Sequence, residues 1–188
     1  MRLLLSTVLC SAVLVSSNAY AEPAAPARAG GARIRPQDQR SINVLREGMA
    51  RSETFRRLVE TIEASNVFVY VHVSPHMKSS LAGQLTWMTQ AGPYRYLRAT
   101  LNTDLNNDLT IATLAHELQH AVEVVSDDLV VDEKSLMSLY KRIGRPSRAA
   151  VSSGWETIAA QEAGFQVRRE LVESNASIVA QLSDIDHM

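Results

Sequence analysis

The stretch 106-NNDLTIATLAHELQHAVEVV-125 says more about this chain than any other. Ile111, Leu114, Leu118, Val122 and Val125 recur at helical spacing, and Asn106, Asn107 and Asp108 offer N-caps just ahead of them. Residues 108–125 are therefore predicted to form a helix with one face in a core. His116 and His120 lie one turn apart, beside Leu109, Ala112 and Thr113 and roughly opposite the apolar stripe. Two imidazoles at i and i+4 can hold one metal ion. Glu117 projects about a quarter-turn away, where a carboxylate reaches a water on that ion without ligating it. His116-Glu117-Leu118-Gln119-His120 is thus the H-E-x-x-H pattern of zinc hydrolases, with two His ligands and Glu117 as general base.

Upstream, Val67 to Val73 (VFVYVHV) is β-branched and aromatic, which marks a largely buried strand that Pro75 ends. Gln84–Thr89 and Arg95–Leu101 alternate apolar and polar residues around Gln90-Ala91-Gly92-Pro93, so they are predicted to pair as a hairpin. Ser41 to Ser65 reads as a broken helix or two short ones, with Ser52 as the N-cap at the break. Downstream, Asp132 is expected to cap a helix that runs to Ile143 and stops at Gly144 and Pro146. A long last helix is expected over Gly154–Ser174. The fold class is α+β: a small antiparallel or mixed sheet packed on the motif helix, followed by further helices.

The ends and the charge bound the function. Arg2, the apolar run Leu3–Val15 and the small-x-small site Ala19-Tyr20-Ala21 read as a secretory signal peptide, residues 1–21, cut before Glu22. The expected location is secreted or periplasmic. The run is too short for a membrane span, and no later segment is long enough. The single Cys, Cys10, lies within the run, so a mature chain would offer no thiol for a disulfide or a metal. Residues 22–36 are rich in Pro, Ala and Gly and are expected to be a flexible leader, with one domain over 37–188. Lys+Arg is 19 against 20 Asp+Glu, so no basic excess points to nucleic acid or anionic lipid.

A catalytic zinc site needs a third protein ligand and an open position. Glu123 faces the His side, but seven residues past His116 is about 10 Å along the axis, so it suits a hydrogen-bond acceptor or a salt bridge. His187 lies in the tail, and His72 and His76 suit core or loop positions. On the last helix, Glu156 shares a face with Ala159, Ala160, Ala163, Gly164 and Val167, small residues that let helices approach closely. A carboxylate at the end of that face can reach an ion on the motif helix. Ser153 and Glu156 also form an S-x-x-E capping box, a purely structural use of the same residue. Glu162 and His76 are the other ligand candidates.

The order of strand, hairpin, H-E-x-x-H helix and downstream helical Glu resembles a compact gluzincin-type zincin metallopeptidase over about residues 66–175. Ala115–Val125 and Glu156–Leu171 are also similar to small secreted bacterial proteins of this kind. The resemblance implies a zincin-like fold, zinc held by His116, His120 and Glu156, and Glu117 as catalytic base. It implies a peptidase whose peptide substrate pairs with an edge strand, here expected to be Arg95–Leu101. Two features depart from the family's pattern. Ala160 stands where gluzincins carry an Asp on the third-ligand helix, and no matched position supplies an oxyanion-stabilising Tyr or His; Tyr94, Tyr96, Tyr140 and His76 are candidates. The metzincin pattern is not met, since Ser126 occupies the place of its third His. The same residues also suit a zinc-binding or partner-binding module with little turnover.

Overall fold

A computed structural model describes residues 32–77, 80–146 and 154–185. The expected signal peptide with Cys10, the first part of the leader, Ser153 and His187 lie outside the described residues. Eleven elements follow one another in the chain: β1 (Ile34–Pro36), α1 (Gln39–Arg51), α2 (Glu53–Glu63), β2 (Val67–Ser74), β3 (Gly83–Ala91), β4 (Tyr94–Asn102), α3 (Asn107–Val125), α4 (Glu133–Ile143), β5 (Arg145–Pro146), β6 (Trp155–Glu156) and α5 (Ile158–Ile185). The molecule is mixed α+β, with a small mixed sheet and five helices among the described residues. None of those helices is long and apolar enough to cross a membrane.

Local chemistry sets most boundaries. Ser52 ends α1 and caps α2, accepting from the Phe55 amide at 3.0 Å. Asp38 and Ser41 form a capping box on α1, and Asp132 with Ser135 does the same for α4. Gly92, at φ 58°, makes the left-handed turn between β3 and β4 that a side chain would resist.

The main sheet has the order β1-β2-β4-β3. β1, β2 and β4 run parallel, and β3 joins β4 antiparallel through the hairpin. Alternation on β2 and β4 turns Val67, Val69, Val71 and Val73 and Leu97, Ala99 and Leu101 into the core. There they meet Ile111, Leu114 and Leu118 of α3, which packs on the sheet, on α1 and α2, and on α5. On the other face, Phe68 is buried under its own neighbours: the guanidinium groups of Arg33 and Arg35 each lie 4.3 Å from its ring centre, and Tyr96 stacks at 5.0 Å.

Two sequence expectations are corrected here. Residues 34–36 belong to the sheet rather than to a leader: β1 pairs with β2, Ile34 is buried, and Glu63 accepts the Arg33 and Ile34 amides. Three residues are too few for period-two patterning to register, and only the partner strand makes them a strand. Second, Arg95–Leu101 is not an edge. It lies within β4, bonded on both sides by β2 and β3; among the described residues the edge strands are β3 and the three-residue β1.

Candidate metal centre

α3 brings the two His together. Asn106 caps it, accepting from the Leu109 amide at 2.9 Å, and the Ile111–Leu114–Leu118 stripe anchors it on the sheet. The imidazoles of His116 and His120 meet edge to face with centres 4.9 Å apart. His116 Nε2 lies 3.4 Å from Glu156 Oε2, and one ligand atom from each of His116, His120 and Glu156 falls within a 4.8 Å cluster. Ligands at about 2.0–2.1 Å from an ion in a tetrahedron stand about 3.3 Å apart, close to the His116–Glu156 spacing, while the cluster as a whole extends to 4.8 Å.

Glu156 reaches this place by a route the sequence did not indicate. It is not on a helix. It ends β6, which pairs antiparallel with β5, Arg145 opposite Glu156. α5 starts two residues later, and its N-cap is Thr157, whose Oγ1 accepts from the Ala160 amide at 3.1 Å. Glu156 therefore precedes the cap and does not serve as the third residue of a capping box. Gly144, at the end of α4, allows the junction: a Cβ there would lie 2.9 Å from the Glu156 carbonyl. The small-residue face does seat α5 on α3. Ala160, Ala163 and Val167 are buried, and a Cβ on Gly164 would come within 3.3 Å of the Ala112 carbonyl. Ala159 is exposed instead.

The ligand candidates are held by their neighbours. His120 Nδ1 is 2.8 Å from Glu123 Oε2, which leaves Nε2 for a metal, and Thr157 donates to the other Glu123 oxygen at 2.5 Å. These side chains are enclosed, at 7% and 10% exposure for His120 and Glu123. Glu123, on the motif helix itself, thus supplies an acceptor that Ala160 cannot, and Thr157 ties it to the root of α5. Tyr140 lies edge-on to the His120 ring, and its hydroxyl donates to the His120 carbonyl at 3.1 Å. Burial raises the Tyr140 pKa well above its ordinary value, with Glu123 and Glu117 adding to it. Burial works against charge on both His116 and Glu156, yet their mutual attraction raises the imidazole and lowers the carboxyl.

Glu117 sits to one side of the cluster, 4% exposed. Burial raises its pKa against the pull of His120 and His116. Gly83 makes room for it: a Cβ there would meet Glu117 Oε1 at 2.7 Å. The Asn102 amide bonds the Ala82 carbonyl, so the main chain of Gln84 and Thr86 faces β4 while that of Gly83 and Leu85 faces the open edge. The edge borders a cavity of about 510 Å³, walled by Leu85 and Trp87, by Leu136 and Tyr140 of α4, and by Trp155. A second cavity of about 410 Å³ opens on the other side of His116, Glu117 and Glu156.

Of the remaining candidates, His76 is exposed on the rim of the larger cavity and outside the ligand cluster. Glu162 is exposed on α5. Tyr94 and Tyr96 pack against Phe68 on the outer sheet face. Of the oxyanion candidates, Tyr140 and His76 line the cavity. Gly83 and Thr157 were not foreseen. Thr157 could have been read as an N-cap ahead of Ile158-Ala159-Ala160, but nothing local marks Gly83. Neither a protein-family model, nor a curated protein, nor a solved structure matches the chain.

Proposed function

We propose that this chain is a zinc-dependent hydrolase with a zincin-like fold, acting on peptides and exported by its N-terminal segment. The observation that carries the reading is the clustering of His116, His120 and Glu156 donor atoms within 4.8 Å with Glu117 beside them. His116 Nε2, His120 Nε2 and a Glu156 oxygen would hold the ion. Zinc bound there would lower the pKa of a water molecule and polarise a scissile carbonyl.

The chain's own groups supply the rest. Glu117 takes the proton from the attacking water and returns it to the departing amine. Its raised pKa suits both directions of transfer. Glu123 and the His120 carbonyl–Tyr140 contact hold His120 in place. The free edge of β3 lines up an extended peptide by main-chain hydrogen bonds.

The burial of Glu117, 4% exposed, also favours a second reading, a zinc-holding module with little turnover. Glu117→Gln separates the two. A hydrolase loses cleavage of a peptide library by at least about 100-fold while keeping one zinc per chain. A wild-type chain that binds zinc and cleaves nothing in that library would leave the module reading standing and remove the peptidase one.

A further inference from the structure

We propose that the smaller cavity is a recognition pocket for an apolar side chain followed by a carboxylate, and that Arg168 binds that carboxylate. The proposal rests on the zinc-hydrolase reading and names the substrate class it would serve. The cavity begins at the candidate ligands and is bounded by Leu81, Leu109, Ala112 and Phe165. Phe165 is 68% exposed and, with Leu81, Leu109 and Ala112, gives the cavity a contiguous apolar wall open to solvent. The volume, about 410 Å³, holds a benzyl or isobutyl group with room for main chain.

Among the described residues, Arg168 is the one Lys or Arg on the cavity wall. Among the described residues it makes no ion pair. Asp108, which shares the outer rim with it, is bound to Arg51 at 2.8 Å. Gly164 faces His116, and Arg168 is one helical turn further along α5, about 6 Å from the Gly164 level. Side chains on a helix lean toward its N-terminus, which from Arg168 is the direction of Gly164 and the cavity. A planar guanidinium in that position suits a carboxylate, which it can bind through two parallel hydrogen bonds.

The charges also give the substrate a direction. Glu133 borders the larger cavity and Arg168 the smaller. The larger cavity lies along Gly83–Trp87 of β3, and the smaller at Ser80–Gly83. A peptide with its carboxyl end at Arg168 therefore runs antiparallel to β3. The residue on the carboxyl side of the scissile bond then fills the apolar pocket. A carboxylate just beyond it comes either from the chain terminus or from an acidic side chain.

The test is binding of two small acids to the zinc-loaded full chain, followed by calorimetry: 2-benzylsuccinate, and 3-phenylpropanoate, which has the same ring and one carboxylate fewer. The wild type should bind benzylsuccinate at least about 10-fold more tightly. Arg168→Gln should erase that difference, Arg169→Gln should keep it, and Phe165→Ala should weaken both ligands. Both Arg168 and Phe165 are exposed, so these variants keep the fold. Equal binding of the two acids by zinc-loaded wild type, or unchanged discrimination in Arg168→Gln, overturns the proposal. Zinc content measured on the same samples separates this from failure of the metal reading, which would show as protein without zinc. In the Glu117→Gln background, tighter binding of acetyl-Gly-Phe than of its amide assigns a terminal carboxylate. Tighter binding of acetyl-Gly-Phe-Asp-amide than of the Asn analogue assigns an acidic side chain. Indifference in both pairs counts against Arg168.

Discussion

Replacing Glu156 by Gln isolates its negative charge. Shape and β6 pairing are retained, because the pairing to Arg145 is main-chain. The cap of α5 is untouched, because Thr157 provides it. The metal-free protein loses the ion pair with His116, whose partners are 19% and 26% exposed, and this costs about 1 kcal/mol at most. Metal binding should suffer far more. Zinc sites of four ligands bind with about 10–16 kcal/mol, so one anionic ligand is worth roughly 3 kcal/mol, or roughly 100-fold in affinity. Competition against a chromophoric chelator measures that loss, and circular dichroism with a urea titration checks the fold. Glu162→Gln, on an exposed site, should change neither quantity. Wild-type zinc affinity in Glu156→Gln, with the fold intact, would refute the assignment of the third ligand.

Three further outcomes are expected. Glu123→Gln should weaken zinc binding about 10–100-fold without unfolding the chain, because His120 loses a charged acceptor at 2.8 Å; an unchanged zinc titration would reject that role. Glu170 accepts from Ser52 and Thr54 at the start of α2, and although burial opposes it, these bonds lower its pKa from 4.5 to about 2. Its folded pKa is depressed, so its stabilisation is full above about pH 4.5 and is lost as pH falls toward 2; after screening, about 1 kcal/mol more loss should appear in wild type than in Glu170→Gln between urea titrations at pH 6 and pH 3. N-terminal sequencing of the exported protein should read Glu22 first, and retained Met1 on cytoplasmic protein would reject the export proposal.

What could be read from the sequence was local. The caps at Ser52, Asn106 and Asp132, the hairpin turn at Gly92 and the motif helix with both His on one face follow from contacts three or four residues apart. The small-residue face of α5 was legible for the same reason, since Ala160, Ala163, Gly164 and Val167 repeat at helical spacing. Such patterns write their geometry into spacing, so the placement of His116, His120 and Glu117 along α3 needed no tertiary information. Where the sequence reading went astray, the deciding contacts join distant segments. β4 became interior because β2 pairs with it on one side and β3 on the other. Ile34–Pro36 became a strand because β2 offered a partner. Glu156 left the helix because β5 recruited it, and Thr157, which then took the cap, also closed on Glu123 from 34 residues away. The open edge, the cavities flanking the ligand cluster and the space at Gly83 for Glu117 belong to no single segment, and only packing them together produced them.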